Sequence, residues 1–200
     1  MNKKTLVIYI SIAILLLAGI AAGVIFLYKG DDSGKKAMSR VDVAEHFPLL
    51  QAVPSDAAAI FCAGNLKDGS ALFTDGTKVF DVLLSDGKFH PCVDFFRTLE
   101  EEMDGALSSL RSQPLAVSLH YSGSIVPLVV VSVPRTCTDS TAQVLALREA
   151  ADSNGMKSCF YSSENVSAVL VSTSETIINS SVRHQDSGMS ILSDKDFSQS

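Results

Sequence analysis

Thr5 to Tyr28, TLVIYISIAILLLAGIAAGVIFLY, is a run of 24 residues without a charge, bounded by Lys3 and Lys4 before it and Lys29 after it. As a helix rising ~1.5 Å per residue it would measure roughly 36 Å, enough to cross a hydrocarbon core of ~30 Å with some tilt. Fourteen of its residues are Leu, Ile, Val or Phe. At about −0.3 to −0.6 kcal/mol each near mid-helix, their insertion gains on the order of 4 to 8 kcal/mol. Tyr9 lies near one end, and Phe26 and Tyr28 near the other, where aromatic rings favour the membrane interface. The sequence therefore predicts a tail over 1–4, a transmembrane helix over 5–28, a tether over 29–40 and a folded domain over 41–200.

A cleaved signal peptide is the competing reading. The small residues of Ala18 to Gly23 resemble a cleavage region, but apolar sequence resumes at Val24 to Tyr28. A signal would end its hydrophobic region there, and this one is too long, so an uncleaved anchor is favoured. Lys3 and Lys4 nearly balance Lys29, Lys35, Lys36 and Arg40 across the helix. A short, charged amino tail tends to stay in the cytoplasm, which places the domain outside it. Gly19, Ala22 and Gly23 would allow two such helices to approach closely. Small residues are common in single-pass helices, so a homodimer is possible but not favoured.

From Lys29 onward there are 14 basic residues against 22 acidic ones, a balance of −8. An acidic exterior with no Lys/Arg run argues against nucleic acid as a partner. The 46% apolar content suits a folded domain large enough to bury its own core.

Along the domain, Arg40 to Leu50 reads as a helix of about two turns limited by Pro48, and Ala57 to Ala63 as a buried strand. Asn65 to Gly87 reads as two short helices broken by Asp-Gly turns. Cys92 to Arg111 carries Phe96, Leu99, Met103, Leu107 and Leu110 on one stripe, the pattern of an amphipathic helix. Leu115 to Tyr121 alternates, with Ala116, Ser118 and His120 on the less apolar face. Ile125 to Val133 is apolar on both faces and so central. A helix capped by Thr138 or Asp139 runs to Ala151 and stops at Asn154-Gly155. Strands over Lys157 to Ser162 and Val166 to Ser172 follow. Ser172-Thr-Ser-Glu175 then reads as a capping box opening a last helix. Ser193 to Asp196 looks like one more helix start, as expected of a chain that continues beyond Ser200. The order matches a ferredoxin-like (split βαβ) domain: α+β, an antiparallel sheet with helices on one face.

Four cysteines, Cys62, Cys92, Cys137 and Cys159, form no C-x-x-C pair. In a split βαβ sheet the first and fourth strands are neighbours, which would bring Cys62 to Cys159. Cys92 and Cys137 would both open helices at one sheet end. Two disulfides or four separate thiols are both open readings. His90-Pro-Cys92 is a single close pair, short of the three or four ligands a zinc site needs. Glu100, Glu101, Glu102 and Asp104 read as a solvated helix face. No metal site, cofactor site or catalytic residue is assigned, because no nucleophile elbow, phosphate loop, dinucleotide fingerprint or zinc-protease motif occurs.

Val53-Pro-Ser-Asp-Ala57 leading into a strand, the Leu119-His-Tyr-Ser-Gly-Ser hairpin and Ser190 to Phe197 after a helix together resemble one family. It is the family of membrane-anchored bacterial envelope proteins called domain of unknown function 3352. The resemblance implies a single-pass protein of the bacterial inner membrane with a periplasmic domain longer than this chain. It implies no catalytic residues. The expected function is a non-enzymatic interaction or scaffolding module with an unknown protein partner, held to membrane lipid through 5–28. The alternative is a membrane-tethered envelope hydrolase with its site in a further carboxy-terminal part.

Overall fold

A computed structural model of the chain describes residues 47–74 and 89–193, all within one compact unit spanning Ser39–Ser200. The expected membrane helix with Gly19, Ala22 and Gly23, the tether, the second short helix after Thr74 and the stretch from Asp194 lie outside the described residues. Among the described residues no helix is long and apolar enough to cross a membrane.

The fold is α+β. Five strands form one antiparallel sheet: β1 Ala59–Ala63, β2 Leu115–Tyr121, β3 Ile125–Ser132, β4 Lys157–Ser162 and β5 Ser167–Ser172. Four described α-helices accompany it: α1 Leu66–Thr74, α2 His90–Glu102, α3 Ala142–Ser153 and α4 Glu175–Ser187. Short 3-10 turns occupy Pro48–Ala52, Ser108–Leu110 and Ile191–Ser193.

The sheet order is β1-β2-β3-β5-β4, which corrects the split βαβ expectation. That arrangement inserts a strand between β1 and β2, whereas here the two pair directly, Ala59 opposite Leu119 and Ala63 opposite Leu115. Element order alone does not distinguish the two, because a helical connection can return the chain to the neighbouring position as readily as to the next one. β1 is consequently an edge strand, half-buried throughout rather than enclosed. β3 is central, as its two apolar faces require.

Helices cover both faces, not one. Leu115, Val117, Leu119, Val129, Val131, Val169 and Val171 share a core with α1, α2 and α3. Ala116, Leu128, Val130, Ala168 and Leu170 pack instead with Ile177 and Ile178 of α4 and with Leu49. The alternation read in β2 thus separates two buried faces, with only Tyr121 exposed.

The stripe Phe96, Leu99, Met103, Leu107 and Leu110 is buried in full, but the helix ends at Glu102 and the rest of the stripe is carried by turns. Gly155, at φ 70°, follows Asn154 as the left-handed stop of α3. α4 begins one residue after Ser174, and no side chain caps it in the expected manner. Ser172 Oγ instead donates to the Pro127 carbonyl at 2.7 Å and accepts the Ser174 N–H at 3.1 Å. Its place in the sheet wins over the capping box.

Gly69 marks where α1 crosses β1 and β2 most closely. A Cβ there would lie 2.5 Å from Leu115 Cδ2 and 2.9 Å from the Ala63 Cβ. Gly69→Ala is expected to lower stability by about 1 kcal/mol. Overpacking of ~1–3 kcal/mol outweighs the ~1 kcal/mol gained in helix propensity. A thermal melt of the full chain in detergent reads this, and an unchanged or raised midpoint would show that Leu115 yields without cost.

Candidate functional site

Two residues apart on β2, Ser118 and His120 point to the same face, under the cover formed by α4 and the 3-10 turns. The turn Pro54 to Asp56 delivers a carboxylate to the same place. Ser118 Oγ lies 2.9 Å from His120 Nε2, and His120 Nδ1 lies 3.1 Å from Asp56 Oδ1. A carboxylate only accepts, so the neutral ring carries its proton on Nδ1 and Nε2 accepts the Ser118 hydroxyl proton. This is the Asp–His–Ser order of a hydrolase relay.

Burial decides what it does. Ser118 is 0% exposed and His120 1%, while Asp56 keeps a 64% exposed side chain. Ser118 sits between Ile60 on β1 and Leu128 on β3. A nucleophile enclosed in the middle of a sheet cannot meet a substrate carbonyl, and the chain of hydrogen bonds reads as a polar tie between β2 and the turn before β1. Burial pushes the His120 pKa down, the Asp56 charge and hydrogen bond pull it back up, and nearby His184 pushes it down further. The net direction is down, which leaves the ring neutral at neutral pH.

The thiols form no bridge. Cys62, Ala116, Val130, Leu170 and Cys159 line up as one row of partners across the sheet. Cys62 and Cys159 therefore share a face, but on opposite edge strands four spacings apart, about 19 Å at ~4.8 Å per strand. The expected neighbour relation fails with the split βαβ order. Cys92 lies in the first turn of α2, about 15 Å of helix before Glu102 at ~1.5 Å per residue. That far end of α2 leads to Arg111, whose carbonyl accepts from Lys67 just past β1. Cys137 follows β3 at the same end of the sheet as Arg111, so the two cysteines sit at opposite ends. Burial pushes the Cys62 thiol up to about 12 and raises those of Cys92, Cys137 and Cys159. Protonated thiols are poor nucleophiles and poor metal ligands.

His90 is exposed while Cys92 is wholly buried, so the close pair in sequence diverges in space. No group of three metal-ligating side chains forms among the described residues. Glu101, Glu102 and Asp104 are exposed, and Glu100 accepts from Thr74 Oγ1 at 2.7 Å, so the acidic run does not converge.

A cavity of about 270 Å³ opens at the other end of the sheet, where β3 leaves and β5 begins. Leu49, Val133 and Val166 give it apolar walls, and Gln113, Arg135 and Ser167 supply its polar groups. No single sequence motif marks it, because its wall is drawn from four separate parts of the chain.

No protein-family model matches the chain, and no curated protein or solved structure matches it either.

Proposed function

We propose that this chain is a single-pass anchored protein of the bacterial inner membrane, of the domain of unknown function 3352 kind. Its α+β domain stands in the periplasm as a non-catalytic interaction or scaffolding module. The observation that carries this reading is the uncharged run of residues 5–28 in a chain whose residues from Ser39 onward form a compact folded unit. The complete enclosure of Ser118 supports the non-catalytic part. A phosphatase reporter fused after Ser200 tests the location. High activity in intact cells is expected, and activity only in a cytoplasmic reporter fused at the same point would reverse the orientation.

A second reading, a membrane-tethered hydrolase, starts from the order of the Asp56–His120–Ser118 hydrogen bonds and requires the domain to open and expose Ser118, which is enclosed here. A fluorophosphonate probe separates the two. The full chain in detergent is expected to take up no label under conditions that label an active serine hydrolase completely. Labelling abolished by Ser118→Ala would establish the hydrolase.

A further inference from the structure

The cavity at the β3–β5 end sets an arginine beside an apolar wall. Three described arginines are held by carboxylates: Arg97 by Asp94, Arg111 by Asp104 and Arg148 by Asp139, at 2.6–3.0 Å. Arg135, which is exposed, has no such partner among the described residues, and neither has Arg183; the hydrogen bond of Arg135 is a long donation from Nη2 to the Asn165 carbonyl at 3.5 Å. Among the described residues no carboxylate lines the cavity. Gln113 Oε1 accepts a long hydrogen bond from Ser132 Oγ at 3.4 Å, and its two side-chain N–H donors have no partner among the described residues. Ser167 is 5% exposed, and its buried Oγ finds no partner, although native proteins satisfy nearly all such groups.

The volume sets the size of the occupant. At about 270 Å³ the cavity falls just under the ~300 Å³ at which sites for drug-sized ligands begin. A planar guanidinium matches a carboxylate with two parallel hydrogen bonds, and Leu49, Val133 and Val166 accept a short branched chain beside it. We propose that this cavity binds a small carboxylate with a short apolar body, Arg135 pairing with the anion and the Gln113 amide completing its hydrogen bonds. The anion can belong to a free acid or to the last residue of a peptide, and both present the same group. The proposal stands independently of the membrane reading.

Titration calorimetry on the full chain in detergent tests it with four probes. These are isovalerate, the tripeptide Ala-Ala-Val with a free carboxylate, the same tripeptide amidated, and inorganic phosphate. Saturable one-to-one binding of isovalerate or the free tripeptide is expected, weakened at least tenfold by Arg135→Gln and less, though measurably, by Arg135→Lys, which keeps the charge but not the two parallel donors. Binding of the tripeptide alone would identify a chain end as the source, and binding of isovalerate a free acid. Equal affinity for the amidated peptide, tighter binding of phosphate, indifference to Arg135→Gln, or no binding of either carboxylate would each overturn the proposal.

Discussion

Phe96→Ala lowers the stability of the domain by about 3–5 kcal/mol, the range for removing a large aromatic ring from a packed core. Phe96 is 0% exposed, and its ring stacks on Phe73 with centroids 4.5 Å apart and planes 12° from parallel. Phe73 in turn meets Phe61 edge-on at 6.3 Å and Phe89 at 6.4 Å. One ring therefore holds α1, α2 and the edge strand β1 in a single aromatic cluster. Such pairs contribute roughly 0.5–1.5 kcal/mol beyond area burial, and the truncation also leaves a cavity that β1, with a neighbour on one side only, cannot close. Denaturant unfolding of the full chain in detergent measures the loss. A change under about 1 kcal/mol would mean that the cluster repacks, contrary to the close packing expected of cores.

The second large effect belongs to His120 and depends on pH. Its folded-state pKa is depressed below the ordinary 6.5, first by burial, with Asp56 opposing and His184 adding to the depression. The unfolded chain consequently binds the proton more readily than the folded one. By linkage, this group leaves stability intact above about pH 6.5 and removes it progressively as the pH falls toward the folded-state value. The domain is expected to melt at a lower temperature at pH 5 than at pH 7.5. His120→Ala empties a fully buried site and strips Ser118 of its partner, an unsatisfied hydroxyl alone costing ~1–3 kcal/mol. The variant should be less stable at pH 7.5 yet show a flatter decline toward pH 5. A decline as steep as the parent's would assign the acid sensitivity to other groups.

Much of the strand and helix content was legible because periodicity reports burial directly. β2, from Leu115 to Tyr121, and β4, from Lys157 to Ser162, coincide with their expected limits. The apolar stripe from Phe96 to Leu110 correctly named five buried residues. It overstated the helix because turns around Gly105 present Leu107 and Leu110 to the same core. Strand order was not legible. The pattern of one strand fixes which face is buried, not which strand lies beside it, and the cysteine pairings fell with that order. The placement of Ser118 and His120 on one face followed from alternation, whereas Asp56 reaches His120 across 64 residues and left no local signal. The arginine cavity was hidden for the same reason. Arg135 is an ordinary loop residue until Ser167 and Leu49 arrive from elsewhere in the chain.

The proposal that this domain is permanently held at a membrane is tested most directly by alkaline carbonate extraction of membranes from cells making the full chain. Alongside it runs a version lacking residues 1–38, and the amino terminus of the recovered protein is sequenced. The intact chain is predicted to stay with the sedimented membranes until detergent is added, starting at Met1 or Asn2, while the shortened version stays in the supernatant. Full-length protein released by carbonate, or a mature chain beginning after Tyr28, would contradict the anchor and with it the proposed function.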